Sequence, residues 1–402
     1  MRKILFVDDE SNILEGLQRM LRPMRHEWEM AFAGGGAEAL EALSASHFDV
    51  VVSDMRMPGM NGAQLLDTVM KRHPEVVRII LSGYSDMELI LKSVGPAHQY
   101  LSKPCDAESI KTTVGRACAL RDLLADEALQ LLVSQMQSLP SLPSLYSELV
   151  AQLETPDASI KKVGEIISRD VGMTAKILQM VNSAFFGIRR HISSPEEAAG
   201  LLGLDTVMTL VLTIQIFSQF DSNRLSGFSP TALWAHSLRV GLLAKRITQN
   251  IGKSPEIAKD AFTAGLLHDV GHLVLAANVP EKYTRMLEIL QDGCTQPEEA
   301  EYQAFGATHS QVGAYLLGLW GLPNSIVEAV AFHHCPGQCL AQEFSPFTAV
   351  HIGNALDYEQ QPHQTKTCVS TLDLDYLTRL GLVEYLPAWR EICAKTAKED
   401  ND

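Results

Sequence analysis

The stretch AGLLHDVGHLVLA, residues 264–276, sets His268, Asp269 and His272 inside an otherwise apolar run that reads as one helix. An imidazole and a carboxylate side by side are costly to bury unless they are hydrogen-bonded, paired or bound to a cation. Other histidines repeat the pattern. His236 shares a helical face with Val240, Leu243 and Ile247, and His309 opens a stretch whose inner side is Val312, Gly313 and Leu316. His333 and His334 end NSIVEAVAFHH. A lone inward histidine is usually a satisfied core residue, but inward histidines from several helices are what a bundle-core metal site needs. Nearer the N-terminus, Asp8, Asp9, Asp54, Ser82 and Lys103 stand at the ends of short apolar runs. Three carboxylates in one place repel each other unless a hard cation neutralises them, and oxygen-seeking Mg²⁺ is the natural choice. With Lys103 as a point charge and Ser82 as a hydroxyl, the set suits an anionic phosphoryl group, and an aspartate there can act as nucleophile on phosphorus.

Residues 1–124 must place the acidic set. KILFVDD, WEMAFA, FDVVVSD, VRIILSG and QYLSKP alternate with the helical patterns SNILEGLQRML, GAEALEAL, AQLLDTVMKR and DMELILKSV. Five such alternations predict an α/β fold, a parallel doubly wound sheet whose site lies at the carboxyl ends of the strands where the order reverses. From about residue 111 to 136 the pattern reads as one long helix, with Ile110, Ala117, Leu124 and Leu131 recurring every seven residues. That seam fits either a final helix packed on its own sheet or one carrying a signal or a dimer contact. SLPSLPSL (138–145) breaks it, and beyond it the periodicity is helical, so the second domain is expected to be all-α.

Bulk properties narrow the function. A chain of 402 residues splits into two or three domains. Its net charge of −15 argues against direct nucleic-acid binding through a broad basic surface. No apolar run is long enough to span a bilayer and the N-terminus carries no signal-peptide pattern, so a cytoplasmic location is expected. The seven cysteines form no CxxC pair and are expected as reduced thiols. Cys335 and Cys339 beside His333 and His334 could form a zinc cluster, though structural zinc sites usually bring a second matching pair.

FVDDE, VVSDMRMPGMNG, LSGYSD and YLSKP resemble the receiver domain of two-component response regulators over about residues 1–122. The resemblance implies a flavodoxin-like (βα)5 fold with Asp54 as phospho-acceptor, phosphorylated by a histidine kinase. It implies Mg²⁺ held by Asp8, Asp9, Asp54 and the main-chain carbonyl of Arg56. Ser82 would bond the phosphoryl oxygen, Lys103 would pair with it, Tyr100 would be the aromatic switch, and the Lys103–Pro104 peptide would be cis.

The order His236, His268–Asp269, His309, His333–His334 resembles the HD superfamily of metal-dependent phosphohydrolases. There it implies a site for Fe, Mn or Zn, with Asn354 at the position of the late aspartate and Asp357 one turn on. The chain departs from the HD-GYP phosphodiesterases: "HD" is followed by VGH, CPGQCLAQEFSP stands where the Gly-Tyr-Pro loop would be, and Ala232 sits one turn before His236. LPSLPSLYSELVAQLETPDASIKKVGEIISRDVGMTAKILQMVNSAFFG and EYQAFGATHSQVGAYLLGLWGLP resemble the HDOD domain, a non-catalytic relative of those hydrolases. The expected organisation is a receiver over 1–122, a linker helix over 106–137, an HDOD domain over 138–335 and a helical extension over 336–402. The departures favour a degenerate site and a binding module that acts on an unknown downstream protein, with homodimerisation through the linker. The competing reading is a weak metal-dependent phosphodiesterase acting on a cyclic dinucleotide or another phosphoester.

Overall fold

The computed structural model describes residues 1–82, 97–121, 124, 126–136, 139–141, 143–155, 157–182, 191–208, 218–219, 228–291, 295–338, 343–360 and 371–399. The helical pattern DMELILKSV lies outside them, as do Cys294, Cys339 and Cys368.

The N-terminal region is a five-stranded parallel sheet of β1 (Arg2–Val7), β2 (Trp28–Ala33), β3 (Val50–Asp54), β4 (Val77–Ser82) and β5 (Gln99–Ser102). The strand order is β2-β1-β3-β4-β5, which reverses at β1. Helices Ser11–Met20, Gly36–Ala45 and Gly62–Arg72 connect successive strands. Side chains alternate across a strand, so continuous apolar runs bury both faces. Ile4, Phe6, Val50, Val52 and Ile79 enter one core, and Leu5, Val7, Val51 and Ile80 the other. The Lys103–Pro104 peptide is cis.

The connection differs from expectation. In place of one helix over residues 111–136 there are two, Ala107–Arg121 and Glu127–Gln135. Asp126 starts the second by accepting the Leu129 N–H at 2.9 Å, an N-cap that favours a fresh helix over continuation. The break shifts the phase of the heptad pattern: Ile110, Ala117 and Leu124 are buried, whereas Leu131 is 38% exposed.

Beyond residue 142 the described elements are helices apart from the two-residue strand Ser218–Gln219, which pairs with Pro140–Ser141. The long helix Pro230–Asn250 packs on Pro255–Leu267 and Pro346–Gln360, and Val270–Asn278 packs on His309–Leu319. Glycine permits two of these approaches. A Cβ on Gly265 would lie 2.7 Å from the Gly241 Cα, and one on Gly271 would lie 1.9 Å from the His309 carbonyl oxygen. The crossings bring His236, His268 and His309 together. Through Ile110, Val114, Ala117, Leu124, Leu129 and Val133, one face of the sheet shares a continuous apolar core with the helical region.

Candidate functional site

The strand ends converge as the topology requires. Asp8 follows β1, Asp54 ends β3 and Lys103 follows β5. The Lys103 Nζ donates to Asp8 Oδ2 at 2.7 Å and also to Asp54 Oδ1. Asp54 Oδ2 accepts the Arg56 N–H at 2.7 Å, and Asp8 Oδ1 accepts the Glu10 N–H at 3.0 Å. Burial lifts the Asp54 carboxyl above its ordinary range, against the pull of Lys103. Burial acts to lower Lys103, but its two carboxylate partners outweigh that and hold it above 10.5. Asp9 is exposed beside the pocket. Ser82 ends β4 opposite Ser102 of β5, its side chain outside the described residues. Tyr100 is 9% exposed and joins the core that holds Ile80 and Leu65.

The helical region holds a second, deeper cluster. The apolar run 264–276 is two helices: His268 caps the end of Pro255–Leu267 and Asp269 precedes Val270–Asn278, with no side-chain cap hydrogen bond. Asp269 is therefore free to face inward. His236 comes from the middle of Pro230–Asn250, His309 opens its helix behind a Thr308–Gln311 capping box, and His333 caps Asn324–Phe332. All five are buried, and Asn354 on Pro346–Gln360 is fully so.

Each ring is held by its Nδ1. That atom pairs with Asp357 Oδ2 in His236 (2.7 Å), Gly265 O in His268 (2.7 Å), Glu301 Oε1 in His309 (2.7 Å) and Val330 O in His333 (2.9 Å). A donated Nδ1–H leaves the Nε2 lone pair for a ligand, which is the tautomer that metal-ligating histidines adopt. The Nε2 atoms of His268, His309 and His333 lie 3.3, 3.4 and 3.6 Å from Asp269 Oδ1, and that of His236 lies 3.7 Å from Asp269 Oδ2. Two ligands about 2.1 Å from a tetrahedral centre stand about 3.4 Å apart, so this is the spacing of atoms around a cation. His236 Nε2, His268 Nε2, Asp269 Oδ1 and both amide atoms of Asn354 are buried with no hydrogen-bond partner. Burial pushes His268 down to about 3, leaving it neutral. Burial alone would raise Asp269, yet the facing His268, His309 and His333 outweigh it and hold it well below the usual carboxylate range.

This geometry corrects the expectation of a degenerate site and, with it, the preference for a binding module over an enzyme. Three groups, Asp269–His309–His333–His334, His236–His268–Asp269 and His272–Glu301–His309, each keep their ligand atoms within 4.8 Å of one another. The ligand constellation is intact: the departures at VGH (270–272) and CPGQCLAQEFSP (335–346) leave these ligand atoms close together. Asn354 lies one turn before Asp357, which holds His236, and both of its amide atoms are buried without a partner. His334 is partly exposed at the edge of the cluster.

Two supporting carboxylates were not in the ligand set read from the sequence. Glu301, 1% exposed, accepts both the Nδ1–H and the main-chain N–H of His309. Asp357 binds His236 and takes two hydrogen bonds from Arg239, at 2.8 and 3.0 Å. Asp357 was visible as one turn beyond Asn354. Glu301 stands near Glu298 and Glu299, and only its burial separates it from them. The Cys335 thiol lies 3.7 Å from Glu298 Oε1.

Comparison with known proteins agrees with both halves. The family model for the response regulator receiver domain matches residues 4–115, and that for the HDOD domain matches residues 139–336. The MmoQ response regulator of Methylococcus capsulatus str. Bath has a similar fold, with 24% identity, 63% of this chain and 98% of that chain covered, and a TM-score of 0.50. The DNA-binding transcriptional regulator NtrC of Escherichia coli (strain K12) is 39% identical over 119 residues, 28% of this chain and 24% of that protein. An uncharacterized protein of Treponema pallidum (strain Nichols) is 28% identical over 206 residues, 50% of this chain and 39% of that protein. The chain thus spans well under half the length of these two curated relatives. Among the described residues, no helix is long and apolar enough to cross a membrane.

Proposed function

Because the chain belongs to the response regulators that join a receiver domain to an HDOD domain, we propose that phosphorylation of Asp54 governs a metal-dependent phosphoester hydrolase site in the helical domain. A histidine kinase is the phosphodonor. Transfer forms a bond between an Asp54 carboxylate oxygen and phosphorus and breaks the donor's bond to phosphorus, whose electron pair leaves with the donor. Asp8, Asp54 and the Arg56 carbonyl form an all-oxygen donor set suited to Mg²⁺, with Asp9 beside it. Lys103, already seated between Asp8 and Asp54, is placed to neutralise the incoming phosphoryl oxygens.

In the helical domain the observation that carries the reading is the set of orphaned ligand atoms around Asp269. An orphaned buried polar atom costs about 1–3 kcal/mol, and three that face one another, His236 Nε2, His268 Nε2 and Asp269 Oδ1, are hard to account for without a cation. His236, His268 and Asp269 would hold one ion, and Asp269, His309, His333 and His334 a second, of Fe, Mn or Zn type. Such an ion supplies Lewis-acid polarisation of a phosphoryl oxygen and a nucleophilic water near neutral pH. The protein's part is to aim the imidazoles, through Asp357, Glu301 and two main-chain carbonyls. Glu301 and Asp269 hold His309 up at about 10, so a cation at its Nε2 would have to displace a proton. His334, at the exposed edge, marks where a substrate phosphate reaches the cluster, and a cyclic dinucleotide is one phosphoester of the required class.

The test is hydrolysis of bis(p-nitrophenyl) phosphate and of cyclic dinucleotides by the full chain with added Mn²⁺, Fe²⁺ or Zn²⁺. Turnover that disappears in His268→Ala and Asp269→Ala supports the reading. Metal-independent turnover, or none with any metal, contradicts it.

A further inference from the structure

The helix that carries His309 is gripped by the receiver at its far end. Gln99, the first residue of β5, donates its side-chain amide to the Gly318 carbonyl at 2.9 Å. Arg116, from helix Ala107–Arg121, donates to the Leu322 carbonyl just beyond the same helix. The Gly318 carbonyl, in the last turn, carries part of the negative charge of the helix C-terminus, which suits a side-chain N–H donor there. The Gly321 turn, at φ +73°, is the close-approach point: its Cβ position lies 3.7 Å from Gln99 Cγ and Cδ. At the other end, a Cβ on Gly306 would stand 3.2 Å from Asp126 Oδ2, the cap of the linker helix. Gly306 joins the helix of Glu301 to that of His309. Helix His309–Leu319 itself packs on both Ala107–Arg121 of the receiver and Glu127–Gln135 of the linker.

The linker is itself fixed to the receiver. The Ser134 carbonyl, in its last turn, accepts from Arg78 of β4 and from His98 Nε2 at 2.7 Å, while Ser134 Oγ donates to the Pro74 carbonyl at 2.6 Å. Arg78 and His98 are 1% and 3% exposed. Such buried, fully paired contacts transmit displacement, because packed interiors deform little.

We propose that helix His309–Leu319 is the coupling element between the two sites: an anion on Asp54 changes the metal affinity of the histidine cluster through Lys103, β5, Gln99 and Arg116. The inference rests on the metal reading of that cluster. Lys103 at the carboxyl end of β5 now holds Asp8 and Asp54, and a phosphoryl group on Asp54 gives it new oxygens to follow. Four residues earlier, at the amino end of the same strand, Gln99 holds the helix. That helix spans roughly 16 Å, and its first residue is His309. A shift of the helix moves His309 against Asp269 and Glu301, which hold it from opposite sides of the ring.

Linkage makes the effect reciprocal and readable without catalysis. Zn²⁺ affinity of the full chain is measured by competition with a chromophoric chelator, with and without beryllofluoride and Mg²⁺. The expected result is a shift of at least about five-fold in the wild type, lost in Gln99→Ala and in Arg116→Met, whose untreated affinity is unchanged. Hydrogen exchange across residues 309–319 responds to beryllofluoride in the wild type and not in the variants. Zn²⁺ binding that ignores beryllofluoride in the wild type, or a shift that survives both substitutions, overturns the coupling while leaving the metal site standing. Absence of Zn²⁺ binding in either state overturns the metal site and the coupling together.

Discussion

Asp357→Asn tests whether the supporting shell of the cluster acts on the metal. The carboxylate takes three hydrogen bonds, from His236 Nδ1 at 2.7 Å and from Arg239 Nε and Nη2 at 2.8 and 3.0 Å. The two neighbours outweigh burial and keep the acid ionised, below its ordinary range. An amide oxygen can still accept from His236, but the bond becomes neutral, a loss of about 1–1.5 kcal/mol or roughly ten-fold in affinity. Arg239, 11% exposed, loses the Asp357 carboxylate charge and repels a cation held by His236 more strongly. Both effects have one sign, and together they place the loss of metal affinity at about 10- to 100-fold. Breaking a buried pair also costs about 3–5 kcal/mol of stability. The double variant Asp357→Asn/Arg239→Met removes the stranded charge and regains part of both losses. The assay is chelator competition on each variant beside thermal unfolding. A folded Asp357→Asn protein with wild-type metal affinity would refute the assignment of His236 as a ligand.

Other consequences follow from the same structure. Burial pushes the Lys176 ammonium, 2% exposed, down from its ordinary 10.5 to about 7. Between these values the unfolded chain keeps a proton that the folded chain has released, so stability rises with pH. Denaturant titrations should show the deficit of wild type relative to Lys176→Met shrinking by about 2–3 kcal/mol between pH 7 and 9; a gap independent of pH contradicts this. Gly271→Ala should lower thermal stability by about 1–3 kcal/mol or more and abolish metal binding, since the methyl would overlap the His309 carbonyl. Beryllofluoride should change the solution scattering of the wild type and leave Asp54→Asn unchanged; identical wild-type profiles speak against control of the domain arrangement.

The receiver was legible because its sheet repeats one rule: apolar runs that end in chemistry, with Asp54 and Lys103 in step with β3 and β5. The helical domain was legible in class and in its histidines, since inward spacing shows on each helix separately. The integrity of the site was not. Judged by missing motifs, it read as degenerate, whereas the folded chain keeps the ligand atoms together by packing Gly241 on Gly265 and Gly271 on the start of the His309 helix. Nothing local distinguishes Glu301 from its neighbours, because its burial is decided by a histidine eight residues away and by the turn between them. The break at Leu124 and Asp126 was missed for the opposite reason. Its signal, Asp126 before a helical run, is local, but the heptad pattern across it hid the cap.

Elemental analysis of the purified full chain tests the central claim most directly, because the claim is that the orphaned atoms around Asp269 hold cations. The account predicts transition-metal ions bound to the wild-type chain and lost from folded Asp269→Ala, with phosphodiester hydrolysis lost alongside them. A wild-type chain that stays metal-free after incubation with Fe²⁺, Mn²⁺ and Zn²⁺ would contradict it.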